Sequence, residues 1–174
     1  VLGELVDSVV EDALALAAWN AKMGRIVAAP TAGASGILPA VVLNLAEARN
    51  ASSETIIGAL AAAGLVGAMI ARGASLSGAE CGCQAECGAA AAMAAAGACF
   101  LKGQSSVGML NAAALALKNH LGLTCDPVAG LVEVPCVKRN AFAAVSALLA
   151  AELSCAGVRS AIPFRQVIDA MNQT

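Results

Sequence analysis

The chain has 174 residues and a formal net charge of −2; 59% of it is hydrophobic, 2% aromatic, and 17 residues are glycine. That length suits one domain, 1–174, with its own core, and a near-neutral charge without a basic tract or aromatic platform excludes a nucleic-acid binder. Seven cysteines, an odd number, do not make a secreted disulfide framework, and no charged n-region with an apolar core and cleavage site follows Val1, so a reducing cytoplasm is expected.

With so few aromatics, small side chains must do the packing. Alanine has the highest helix propensity, and helices lined with Ala and Gly approach one another closely. The expected fold is all-α, a compact bundle of Ala/Gly-rich helices with a cysteine-bearing ligand loop. Residues 1–28 read as an amphipathic helix, with Leu2, Leu5, Val6, Val9, Ala13, Leu16 and Ala17 at helical spacing and Trp19 as its one large anchor. Glu4, Asp7, Glu11 and Asp12 suit the positive end of its dipole.

Pro30-Thr-Ala-Gly-Ala-Ser-Gly36 then leads, past Pro39, into a second helix through Leu43, Leu45 and Ala48. Two readings of this turn stay open: backbone N–H groups that hold a carboxylate or phosphate, or a glycine-rich turn with Ser35 or Thr31 as an N-cap. The Gly-Lys-Ser/Thr ending of a Walker A loop is missing. Ser52 or Ser53 caps the next helix, which carries seventeen uncharged residues, Thr55 to Ala71. That is the lower limit for crossing a bilayer; three glycines and no aromatic belt predict a buried central helix instead of a membrane span.

In a helix over 80–98, Cys83 and Cys87 share a face at i, i+4 and Cys81 points away. Cys81, Cys87, Cys99 and Cys155 read as small buried hydrophobes. A turn at Lys102–Ser106 precedes a helix from Val107 to His120, closed by Gly122. His120, the one histidine, reads either as a partner of that helix's dipole or as a catalytic group.

Gly122 to Asn140, GLTCDPVAGLVEVPCVKRN, sets Cys125 and Cys136 beside Pro127 and Pro135. The prolines predict both thiols on bent, non-helical backbone. Lys138 and Arg139 favour the thiolate of Cys136, and Asp126 reads as the cap of the loop. Helices follow over Ala141 to about Cys155 and from Pro163 onward, the last with Val167, Ile168 and Met171 on its apolar face.

No C-x-x-C knuckle occurs. Cys83 is followed by Cys125 after forty-one residues and by Cys136 after ten more. Three thiolates from separate segments can hold an iron–sulfur cluster and leave one iron open as a Lewis acid. A non-catalytic iron–sulfur or redox-sensing module is the alternative; an anion-binding turn beside the open iron is what catalysis needs, and PTAGASG favours the enzyme.

GAECGCQAECG (78–88), PTAGASGILPAV (30–41) and GLTCDPVAGLVEVPCVKRNA (122–141) closely resemble the signatures of the α chain, or catalytic domain, of iron–sulfur-dependent bacterial L-serine dehydratases. The resemblance runs through to RSAIPFRQVIDAM. It implies a 4Fe-4S enzyme that converts L-serine to pyruvate and ammonia without pyridoxal phosphate. The family's three cluster cysteines match Cys83, Cys125 and Cys136. Serine would meet the fourth iron through its carboxylate and β-hydroxyl, hydroxide leaving as a base takes the α-proton.

Substrate contacts fall to Thr31, Gly33, Ser35 and Gly36, with Ala32 where single-chain relatives carry asparagine. The base is unassigned, with His120, Lys138 and Arg139 as candidates; Glu80, Glu86, Lys102, Lys118 and Asp126 are also chemically able. Arg139 is equally a partner for the substrate carboxylate or for a surface acid. The resemblance further implies more chain at both ends, a β chain or β domain as partner, an oligomer, and no membrane. Serine and threonine differ by one methyl group, worth only about 1–3 kcal/mol in an apolar pocket.

Overall fold

A computed structural model describes every residue except Val132, within the ligand-loop motif, and for Glu133 the backbone alone. The described residues form seven helices: α1 (Glu4–Ala21), α2 (Ile37–Ala48), α3 (Ser53–Gly73), α4 (Gly78–Leu101), α5 (Ser106–Lys118), α6 (Glu133–Cys155) and α7 (Phe164–Gln173). Among the described residues there is no strand, only an isolated bridge between Val128 and Leu131. The all-α expectation is met.

The organising element is α4, which packs against α2, α3, α5 and α6. Ala89 to Ala92 and Ala94 to Ala96 are all fully buried, because a methyl side chain is the largest that four surrounding helices leave room for. Gly97 marks a close approach. A Cβ there would stand 3.0 Å from Val42 Cγ2 on α2 and 3.3 Å from the Ala59 carbonyl on α3. Around this spine α1 lies on α2 and α6, and α7 closes the far side on α3 and α5 through Phe164, Val167, Ile168 and Met171.

Four expectations are corrected. The uncharged run 55–71 lies on α3, which is not central: Ala59, Ala63, Val66, Gly67 and Ile70 face the core while Ile57, Leu60, Leu65 and Met69 are exposed. The central place goes to the helix whose side chains are smallest. By length and composition three helices could cross a membrane, Ser53–Gly73, Gly78–Leu101 and Val134–Cys155, and of these α4 is 89% buried inside the protein.

The first helix stops at Ala21, where Met23 takes a positive φ of 61°. Trp19 is exposed; its ring covers Gly24 and its Nε1 donates to the Arg25 carbonyl at 3.3 Å, so it shields a turn instead of anchoring the core. Lastly, α6 begins at Glu133, so Pro135 and Cys136 lie in its first turn. Proline is tolerated there because the first N–H groups of a helix have no intrahelical acceptor.

Candidate active site

The start of α4 is pinned to the ligand loop by a break in its own backbone. Ser77 caps the helix, its hydroxyl accepting from Glu80 N. Gly82 then adopts φ 72°, ψ −174°, a conformation open essentially to glycine. A Cβ at Gly82 would stand 2.9 Å from the Leu123 carbonyl, so the missing side chain also lets the loop come in. Gln84 N donates to that carbonyl at 2.8 Å, and Gln84 Oε1 accepts from Gly122 N at 2.9 Å. Cys83, held between these contacts, is 2% exposed.

Three thiols and a guanidinium meet at Cys83. The thiols of Cys136 and Cys87 hydrogen-bond its sulfur, and with Arg139 they hold it down to about 2 against the opposing effect of burial. Arg139 Nη1 donates to Cys83 Sγ at 2.8 Å and to the Thr124 carbonyl at 2.7 Å, while Nη2 reaches Asp126 at 3.5 Å. Cys136 and Cys87 are pushed upward, first as donors to Cys83 and then by burial. The thiolate favoured by Arg139 is therefore that of Cys83 and not, as its place in the sequence implies, that of Cys136. Asp126 pairs with Arg139 and does not cap the loop.

Cys125 is exposed on the loop, whereas Cys83 is buried and Cys136 half-buried. Cys83, Cys125 and Cys136 all line one cavity of about 320 Å³, together with Ala17, Asn20, Gly33, Gly78 and Glu86. Among the described residues no three of His, Cys, Asp or Glu close on a single ion. A cluster asks for something different, since each of its cysteines binds a separate iron. Three thiols from α4, the loop and α6 around one cavity fit that donor set.

The PTAGASG turn forms the opposite wall. Asn140, fully buried, fastens it to α6: its Oδ1 accepts from Gly36 N at 3.0 Å, and its Nδ2 donates to the carbonyls of Gly33 at 2.7 Å and Cys136 at 2.8 Å. Asn20 Nδ2 on α1 holds the Ala32 carbonyl at 2.9 Å. Gly33 lines the cavity, and Thr31 Oγ1 donates to Glu86 Oε1 at 2.5 Å. Ser35 and Gly36 are buried, the N–H of Gly36 already taken by Asn140 and the Ser35 hydroxyl without a partner. The N-cap of α2 is Gly36, with no side-chain bond, so neither Thr31 nor Ser35 caps that helix.

The base candidates are spread out. His120 is buried against Gly88, its Nδ1 bonded to the Ala116 carbonyl at 2.8 Å; burial lowers its pKa, and it is not among the cavity's lining residues. Lys138 is exposed beside a separate apolar groove with Leu2, Val10, Leu14 and Phe142. Arg139 is committed to Cys83, Thr124 and Asp126. Sequence reasoning passed over Asn140 and Gln84. For Asn140 a signal existed: it stands four residues after Cys136, on the same face of a helix that the alanines continue inward.

The whole chain, residues 1–174, matches the family model described as serine dehydratase alpha chain. It is 48% identical over 169 residues to the probable L-serine dehydratase, alpha chain, of Bacillus subtilis (strain 168), covering 97% of this chain and 56% of that protein. To the L-serine dehydratase, alpha chain, of Peptoniphilus asaccharolyticus it is 43% identical over 173 residues, covering 99% and 59%. To L-serine dehydratase TdcG of Escherichia coli (strain K12) it is 44% identical over 164 residues, covering 93% and 36%. The chain thus spans little more than half the length of the first two and about a third of the last.

Proposed function

Because this chain belongs to the serine dehydratase alpha chain family, we propose that it is the cluster-bearing, catalytic part of an L-serine dehydratase, which converts L-serine to pyruvate and ammonia. The observation that carries this reading is the convergence of Cys83, Cys125 and Cys136 on one cavity whose other wall is the PTAGASG turn. Those three thiolates would hold a 4Fe-4S cluster, which supplies an open iron able to polarise the serine β-hydroxyl and carboxylate.

The chain's own residues do the rest. Hydrogen bonds from Cys136 and Cys87, joined by Arg139, keep Cys83 as thiolate, the form that binds iron. Gln84 and Gly82 fix the loop that presents Cys125. Asn140 ties the Cys136 turn to Gly33 and Gly36, so a ligand position and a substrate position are set by one side chain. Thr31 and Gly33 form the substrate edge, with Ser35 and Gly36 shaping the turn behind them. The pairing with a β chain or β domain follows from the relatives' names and lengths, and seven free thiols suit a reducing cytoplasm.

The test is anaerobic reconstitution with iron and sulfide, followed by assay with the β partner and L-serine. A broad visible absorption with about four irons per chain is expected, lost in Cys125→Ala and in Cys136→Ala, together with pyruvate release by the intact protein. A folded protein that takes up no cluster, or a loaded complex that leaves serine untouched, overturns the reading.

A further inference from the structure

Among the described residues Glu86 is the one carboxylate on the cavity wall, and no Lys, Arg or His lines that wall with it. It sits one turn after Cys83 on α4, partly buried. Among the described residues its carboxylate has no cationic partner within 4 Å: the ion pairs formed are Val1–Asp7, Lys102–Glu152 and Arg139–Asp126. Its single side-chain donor is the Thr31 hydroxyl, at 2.5 Å to Oε1.

The surroundings are cut to fit this group. A Cβ at Gly33 would run into Oε1, and a Cβ at Gly78 into Oε2, so two separate segments lack side chains where the carboxylate lies. A carboxylate taken partly out of water without a cation is costly unless a ligand brings one. A hydroxy amino acid brings an ammonium group, and of its three polar groups that is the one an iron does not seek.

Resting on the dehydratase reading above, we propose that Glu86, steadied by Thr31, is the ammonium-binding residue of the site and makes the cavity select amino acids over hydroxy acids that lack nitrogen. Oε1 is already engaged by Thr31, which leaves Oε2, on the Gly78 side, to receive the ligand's N–H. The slot formed by Gly33 and Gly78 sets where along the cavity the ammonium stops. The substrate's carboxylate and hydroxyl are thereby turned toward the three cysteines.

The experiment uses the full-length, cluster-loaded enzyme with its β partner and the isosteric variant Glu86→Gln, which keeps an oxygen for Thr31. Calorimetry measures binding of L-alanine, which has the ammonium and carboxylate, and of 3-hydroxypropionate, which has the hydroxyl and carboxylate; serine KM and kcat are measured alongside. In Glu86→Gln, L-alanine affinity should fall and serine KM rise by about 30-fold or more, the scale of a lost charge-assisted hydrogen bond. Binding of 3-hydroxypropionate should stay within about 3-fold, and the iron–sulfur absorption should persist.

Equal weakening of both ligands, or no weakening of either, overturns the assignment. So does a collapse of kcat with serine KM and L-alanine binding retained, which would make Glu86 the base. Should Glu86→Gln not load its cluster, Thr31→Val decides: a selective loss of L-alanine affinity of about 3- to 10-fold supports the proposal, and no selective loss overturns it. A loaded wild type that neither binds nor dehydrates serine overturns the dehydratase reading itself; a wild type that turns serine over beside an unaffected Glu86→Gln overturns this inference alone.

Discussion

The two cysteine-bearing walls of the cavity are built in opposite ways. On the α4 side, Cys83, Gln84, Ala85 and Cys87 to Cys99 are all buried, on a helix that packs against four others. On the loop side, residues 124 to 131 are all exposed, and among the described residues they are tied by the Val128–Leu131 bridge and by Arg139, which bonds Thr124 and Asp126. One wall is fixed before any ligand arrives. The other has few contacts of its own, so its order depends on what it holds, as is usual where ligand binding and local folding are coupled.

The largest effect is expected at the residue that fastens the PTAGASG turn to α6. Asn140→Ala strands the Gly36 N–H and the Gly33 carbonyl in a buried place, each at about 1–3 kcal/mol. The sum of about 2–6 kcal/mol should lower the melting temperature by roughly 4–24 °C for a chain of this size. Asn140→Asp, which retains the acceptor for Gly36 but not the donor, should fall between. If Asn140→Ala melted like wild type, the turn would not be part of the rigid half.

A smaller, sharper effect separates the walls thiol by thiol. Cys125 is exposed, whereas Cys87 and Cys99 are 1% and 0% exposed. Burial pushes the Cys99 thiol up to about 12, and donation to Cys83 pushes that of Cys87 upward too. Timed alkylation followed by peptide mass mapping should label Cys125 at least about 100-fold faster than either, because those two wait on opening of the core. Comparable rates would mean that α4 breathes as freely as the loop.

The same division explains what could be read in advance. The bundle, the cap at Ser52, the turn at 102–106 and the entry of α7 at Pro163 are local features, written in propensity and spacing. Which helix is central was not local. The hydropathy of 55–71 exceeds that of α4, but centrality is decided by side-chain volume where four neighbours converge, and alanine wins that contest. At the site, Cys125 on a bent loop was legible from Cys-Asp-Pro. Cys136 was misplaced because Pro-Cys reads as a break, while proline in a helix's first turn reads the same in sequence. The pairing of Arg139 with Cys83, fifty-six positions away, has no local signature at all.

The smallest effect tests whether the loop wall is as weakly held as its exposure implies. Asp126 forms an ion pair at 3.5 Å from Arg139 Nη2, with its side chain 66% exposed. An exposed pair of that kind is worth about 0–1 kcal/mol and less in high salt. The two shorter bonds of Arg139, to Cys83 Sγ and the Thr124 carbonyl, do not involve Asp126 and persist without it. Asp126→Asn should therefore shift the melting temperature by under about 2 °C, and the shift should shrink further between 0.05 and 0.5 M salt, values chosen at roughly either side of physiological screening. A loss above about 1 kcal/mol would mean that this one contact organises residues 124 to 131. The loop would then be a preformed wall like α4, and its exposure would say nothing about how firmly it stands.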